Sequence, residues 1–231
     1  QPFMRNVIDG PTPAFFVSKP SAGTGAGLLM NATMMIAHGA PGESRTETKD
    51  EDERRKGVVA ALKSGASYHW LDNLHADLDS AVYASAITSG FMTARVLGTP
   101  DEVRLPVRLQ WIFSGNNPSA SGELVRRFVP IFMDAKGDPL KRKAVDFVHA
   151  DLEGWVRSNR YELVWACLTL VPAWVAAGAP LDRDKVLPSF EAWSATFGGL
   201  LKTIGVPGFL TNLEKLKDNA DVELDVFGTL A

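Results

Sequence analysis

Short apolar runs and helix-period segments alternate along the first 133 or so residues, and helix-period segments dominate the rest. Residues 14–18 are apolar and β-favouring and predict a buried strand. Residues 26–38 predict a helix with Leu28, Leu29, Met35 and Ile36 available for packing, and 39–48 carry the Gly, Pro, Ser and Thr of a loop. Residues 49–63 predict an amphipathic helix whose first half, Asp50-Glu-Asp-Glu-Arg-Arg-Lys56, places acids before bases as the helix dipole favours. Most of those charges read as a solvated face. A second strand spans 67–72 and ends on Asp72, and 77–89 predict a helix.

Residues 94–109 read as two β-like arms around Gly98-Thr99-Pro100-Asp101, a hairpin. A buried strand at 109–114 runs into Gly115-Asn116-Asn117-Pro118, a short helix at 120–127 ends in Arg126-Arg127, and another strand covers 128–133. After residue 143 the expected helices are 148–157, 160–177, 189–204 and 207–218. Strands alternating with helices, followed by helices alone, predict an α/β core with a parallel sheet over 1–142 and a helical subdomain over 143–231.

The connection after the first strand carries the candidate chemistry. It reads Ser18-Lys19-Pro20-Ser21-Ala22-Gly23-Thr24-Gly25-Ala26-Gly27-Leu28, the strand, Gly-rich loop and helix layout of a phosphate-binding P-loop. Ala26 stands where that loop needs lysine, and Gly27 where it needs Ser or Thr. Backbone amides at the helix start can still cradle a phosphate. The lysine charge and the hydroxyl ligand to Mg²⁺ are missing, a loss of several kcal/mol of transition-state stabilisation. Three explanations stand: a degenerate site, a substitute lysine in Lys19, or an engineered Lys-to-Ala change, which accounts for Ala26 but not Gly27.

Four further elements follow in the order of a nucleotide-hydrolysing core. The strand ending at Asp72 fits a Walker B strand whose acid holds Mg²⁺ or its water shell. Asn73 stands where a base often follows. The strand tip Ser114-Gly-Asn-Asn117 fits a sensor position, with Asn117 able to orient an attacking water. Arg126 or Arg127 fits a finger that reaches a neighbouring subunit's nucleotide. The 94–109 hairpin precedes the sensor strand; Arg95, Arg104 and Arg108 lie on its arms, but Asp101 and Glu102 at its turn disfavour a grip on phosphates.

This order resembles the AAA+ ATPases, and more closely the superfamily 3-like helicase ATPases of phages and mobile elements, of the primase-helicase type. The segments Asp50-Glu-Asp-Glu-Arg-Arg-Lys56, Leu71-Asp-Asn73, Arg95-Val-Leu-Gly98, Ser114-Gly-Asn-Asn117, Arg126-Arg-Phe-Val-Pro130 and Ser189-Phe-Glu-Ala-Trp193 carry it, across about residues 12–216. The resemblance implies a three-layer P-loop core with a helical lid, ATP and Mg²⁺ as cofactors, and single-stranded or forked DNA as partner. It further implies a homo-oligomeric ring and a motor role in replication, with hydrolysis weakened or lost. The alternative is a catalytically inactive P-loop scaffold for oligomerisation or DNA binding.

The net charge of −3 gives no global field for nucleic acid, so DNA contact would fall to local patches such as Lys136 with Lys141-Arg142-Lys143. The single cysteine, Cys167, excludes an internal disulfide, fits a reducing cytoplasm and reads as a buried apolar residue. The apolar stretch 163–177 is shorter than the roughly 20 residues a membrane span needs, and no signal-peptide pattern opens the chain. It begins on Gln1 without an initiator Met, as an excised piece of a longer protein would. None of the four histidines, His38, His69, His75 and His149, has metal-ligand spacing. Trp155, Trp165, Trp174 and Trp193 read as core residues of the helical region rather than as stacking platforms.

Overall fold

The computed structural model describes residues 1–74, 77–95, 101–134, 137–214 and 216. The chain opens with a 3-10 turn, Pro2–Val7, and then builds β1 (Ala14–Lys19), α1 (Ala26–His38), β2 (Arg45–Thr46), α2 (Glu51–Lys63) and β3 (Tyr68–Leu74). There follow α3 (Ala81–Thr88), the hairpin strands β4 (Phe91–Arg95) and β5 (Glu102–Pro106), β6 (Gln110–Asn116), α4 (Gly122–Val125) and β7 (Phe128–Phe132). Two short 3-10 turns, Pro139–Lys141 and Ala144–Asp146, lead to α5 (Leu152–Ala176) and α6 (Glu191–Thr203).

Five strands form one parallel sheet in the order β2-β3-β6-β1-β7, and β4 and β5 form a separate antiparallel pair. Both faces of the sheet are covered, which is why its strands read as nearly continuous apolar runs. Successive side chains point to opposite faces. Phe16, Leu71, Trp111, Phe113 and Phe128 thus enter the main core, with Val58 and Ala61 of α2 and Tyr83 and Ile87 of α3. Val17, Trp70 and Ile112 face the other way and pack under Ala26, Met30 and Met34 of α1. The result is a mostly parallel α/β sheet between helical layers. Trp174, Phe190, Trp193 and Leu200 from α5 and α6 belong to the main core as well.

Several boundaries differ from the expected ones. Arg45–Thr46 forms a short edge strand inside the expected 39–48 loop, too brief to show a periodicity. The expected 120–127 helix shrinks to Gly122–Val125, because Arg127 is already turning into β7. The two helices expected at 148–157 and 160–177 are one 25-residue helix, α5, capped by the Asp151 carboxylate on Gly154 N–H and continuing through Pro172. The expected helix at 207–218 begins with turns, and among the described residues helix appears at 213, 214 and 216. The hairpin turn residues 98–100, Lys136 and His75 lie outside the described residues.

Trp174 and Trp193 are buried as expected, but Trp165 is 62 % exposed. Only the first part of α5 packs on α1, through Val156 against Ala32 and Met35. Beyond it, Tyr161, Trp165, Leu168 and Val175 form an exposed stripe at helical spacing. Cys167, expected buried, is half-buried.

The charged run of α2 also departs from a uniformly solvated face. Arg54 is 7 % exposed and holds Glu47 and Glu51 at 2.5 Å each. It also donates to Thr48 O and Asp79 O, and Tyr83 O–H donates to Glu47. Burial raises the pKa of Glu47 above the usual carboxylate range. Burial pushes Glu51 the same way, but hydrogen bonds from Arg54 and neighbouring groups outweigh it and hold Glu51 low. One guanidinium therefore ties α2 to the segment that follows β2 and to the one that precedes α3.

Candidate functional site

The Gly-rich loop leaves the carboxyl end of β1 and enters α1. Gly23 and Gly25 have φ of +79° and +104°, a region L side chains rarely adopt, so both turns require glycine. Gly25 is the N-cap of α1, and the first intrahelical bond is Leu29 N–H to Gly25 O at 2.9 Å. The amides of Ala26, Gly27 and Leu28 therefore precede the helical ladder. Buried Thr24 donates through Oγ1 to Ser21 O at 2.7 Å and fixes the turn, with Ser21 and Ala22 exposed at its apex. The far side of the loop is braced: a Cβ on Gly23 would lie 3.5 Å from Leu140 and 3.6 Å from Pro139.

Ala26 is buried in the apolar cluster beneath α1, whereas Gly27 has open space where a Cβ would project and Leu28 is exposed. Lys19 ends β1 opposite Asn116, half-buried and on the same strand face as Val17, with no ion pair to any described residue.

β6 lies between β1 and β3, so the carboxyl ends of all three meet along one sheet edge. On β3, Leu71 pairs with Phe113 but Leu74 pairs with Gly115, so β3 carries one extra residue at Asp72-Asn73. Asn73 has φ +59°, and the local bulge re-aims the strand end. A Cβ at Gly115 would lie 2.5 Å from Leu74 O, so the bulge closes against a position that admits only glycine.

Asp72 lies on the α1 face of the sheet, two residues beyond Trp70. Buried Ser114 donates a 2.6 Å hydrogen bond to its Oδ1. Trp70 Nε1 donates to Ser114 Oγ at 2.8 Å. Indole is only a donor, so the serine oxygen accepts from Trp70 and its own proton goes to the carboxylate. This holds the Asp72 side chain oriented, about 10 Å, two strand spacings, from the β1 row that feeds the loop.

Asn117 sits past the end of β6 with φ +41°, and its side chain is exposed. Its backbone N–H donates to Lys19 O at 2.8 Å and its side-chain amide to Pro20 O at 3.4 Å. It clamps the entry of the loop onto β6. Arg126 and Arg127 lie at the other end of the sheet, where Ala14 N–H donates to Arg127 O at 3.0 Å. They are therefore separated from the loop by the length of β1, about 20 Å. Arg127 is tied to Glu123 and mostly buried; Arg126 is exposed, with Glu123 at 3.7 Å.

The loop residues 19–28, Asp72, Asn73 and Asn117 thus converge on one edge, and the arginine pair does not join them within the chain. Ser114 and Trp70 were missed as site residues in the sequence reading. The signal for Ser114 was its place one strand over from an acid, which only the strand order reveals. Among the described residues there is no cluster of three or more His, Cys, Asp or Glu able to hold a metal ion. No helix among them is long and apolar enough to cross a membrane.

No family model and no curated protein matches the chain. Among solved structures it is similar to the C-terminal region of NrS-1 in an apo A form, at 14% identity and a TM-score of 0.42, covering 95% of this chain and 56% of that one. A second apo structure of the same region gives 13% identity and a TM-score of 0.39, covering 90% and 53%. The chain spans about half the length of these structures, and at such scores the likeness adds nothing to what its own residues convey.

Proposed function

We propose that the chain is a P-loop nucleotide-binding module of the ATPase/helicase motor type, acting in replication of a phage or mobile element with weakened or lost hydrolysis. The observation that supports this reading is the shared edge: a glycine loop with two left-handed turns opening a helix, and a serine-anchored aspartate two strands away on the same face. The loop amides fit the phosphates of ATP, and the Asp72 oxygen not used by Ser114 fits Mg²⁺ or its water shell. Asn117 shapes the loop entry. Residues 1–142 would form the nucleotide core and 143–231 the helical subdomain. In a homo-oligomeric ring, exposed Arg126 rather than Arg127 would face the neighbour's nucleotide, with DNA as the substrate.

The buried Ala26 supports the weakened form of the reading: no cation stands at the first turn of α1, and Lys19 at the end of β1 would be the substitute. A second reading, an inactive scaffold for oligomerisation or DNA binding, draws support from the exposed apolar stripe of α5. Titration with ATP and Mg²⁺ separates the two. The motor reading expects saturable binding and a raised melting temperature that Asp72→Ala reduces; no binding would leave the scaffold.

A further inference from the structure

At the sheet edge opposite the glycine loop, where β3 and β6 begin, lies a cavity of about 280 Å³. Its polar lining comes from four segments: Gln1, Arg5 and Asn6 at the N-terminal 3-10 turn, His38 at the end of α1, Ser67 before β3, and Arg108 just before β6 with Gln110 at its start. No Asp or Glu stands among its described lining residues.

The two guanidiniums are held in place. Arg5 donates to Ile8 O at 3.0 Å and Gly10 O at 2.9 Å, and Arg108 donates to Asn6 Oδ1 at 3.2 Å. These bonds occupy neutral acceptors only, and no described carboxylate pairs with either guanidinium. Burial, and then the charge of Arg108, lower the pKa of Arg5. His38 is held below its usual range by burial and by Arg160, so it stands neutral near pH 7 and can hydrogen-bond without adding charge.

Two polar atoms here are buried without a partner: Arg5 Nε, a donor, and Gln110 Oε1, an acceptor. Each such atom costs free energy unless something pairs with it. A ligand that answers all three features carries negative charge for the arginines, an acceptor for Arg5 Nε and a donor for Gln110 Oε1. A carboxylate or sulfate supplies the first two only. A hydrogen-phosphate group supplies the third through its P–O–H.

We propose that this cavity is an oxyanion site that takes a hydrogen-phosphate group, separate from the glycine loop and independent of whether that loop binds nucleotide. The group comes either from free phosphate or from a phosphomonoester end, and the two share the same recognition.

Calorimetric titration of the full chain with inorganic phosphate, and with sulfate at matched ionic strength, tests it. Phosphate should bind saturably and more tightly than sulfate. Arg108→Gln should weaken phosphate binding about tenfold, the worth of one charge-assisted hydrogen bond. Ser67→Asp, which brings a carboxylate to an exposed lining position, should weaken it as well; agreement of the two guards against a folding artefact in either. A single-stranded oligonucleotide with and without a 5′-phosphate identifies the source: a gain from the terminal phosphate that Arg108→Gln removes assigns a nucleic-acid end, and equal binding assigns the free ion. Phosphate binding that is absent, unchanged in both variants, or matched by sulfate would overturn the proposal.

Discussion

Ser114 on β6 gives its hydroxyl proton to Asp72 on β3 while accepting from the indole of Trp70, so a hydrogen-bonded chain of three residues ends on a carboxylate on the α1 face of the sheet. Ser114→Ala removes the middle link. It leaves the Trp70 N–H buried and unpaired and should cost about 1–3 kcal/mol. Urea unfolding should show a lower midpoint with an unchanged slope. Under the proposed function, MgATP affinity should fall as well, because Asp72 loses its orientation.

Restoring the missing side chains tests the loop directly. Gly27 has room for a Cβ, and a lysine at position 26 can extend its ammonium beyond the apolar cluster that encloses Ala26. Ala26→Lys with Gly27→Thr should tighten MgATP binding about tenfold or more, since each restores a charge-assisted contact. Fluorescence titration and phosphate release measure it. If neither rises over the parent chain, the P-loop assignment fails.

Arg54 should behave as a buried charge rather than a surface one. Arg54→Ala strands Glu47 and Glu51 and should cost about 3–5 kcal/mol. Arg54→Lys should recover only part, because a single ammonium cannot reproduce the forked contacts to both acids and to Thr48 O and Asp79 O. Chemical denaturation of the two variants checks the order.

His69 predicts a pH dependence. It is 3 % exposed among Tyr83 and Trp111, with both ring nitrogens buried and unpartnered. Burial, and then Arg45, lower its pKa to about 4 from 6.5. The unfolded chain therefore binds the proton more readily, and stability is complete above pH 6.5. It is lost as pH falls from about 6.5 to about 4, by about 3 kcal/mol for this group. His69→Phe should flatten that part of the stability–pH curve, and a curve that keeps its slope would assign the effect to other groups.

The α5 stripe bears on self-association. Trp165→Glu and Leu168→Glu change exposed positions and should leave the melting temperature nearly unaltered. If the proposed oligomer uses this face, light scattering should report a smaller species for both variants than for the parent chain.

The alternation of apolar runs with helix-period segments was enough to read β1, α1, α2, β3, β6 and β7, because each buries a face whose period is local. The loop glycines were legible for the same reason: a left-handed turn before a helix needs Gly wherever it occurs. Features that depend on pairing were not. The extra residue at Asp72-Asn73 exists only relative to Phe113 and Gly115 on the neighbouring strand. Arg54 looked like its charged neighbours, since nothing in Arg54-Arg55-Lys56 marks which cation will meet Glu47 across a loop. Trp165 looked like Trp174, because both sit in one apolar helix, and only the extent of packing beneath that helix separates a core tryptophan from an exposed one.

By itself, then, the order of residues determined a parallel α/β sheet and a glycine-rich loop between a strand and a helix, because backbone conformation and burial period are written locally. Tertiary structure decided the partners. It put β6 between β1 and β3, so that Ser114 anchors Asp72 beside the loop, and it sent Arg126 and Arg127 to the opposite edge, because consecutive parallel strands all run the same way and their two ends cannot meet within one chain.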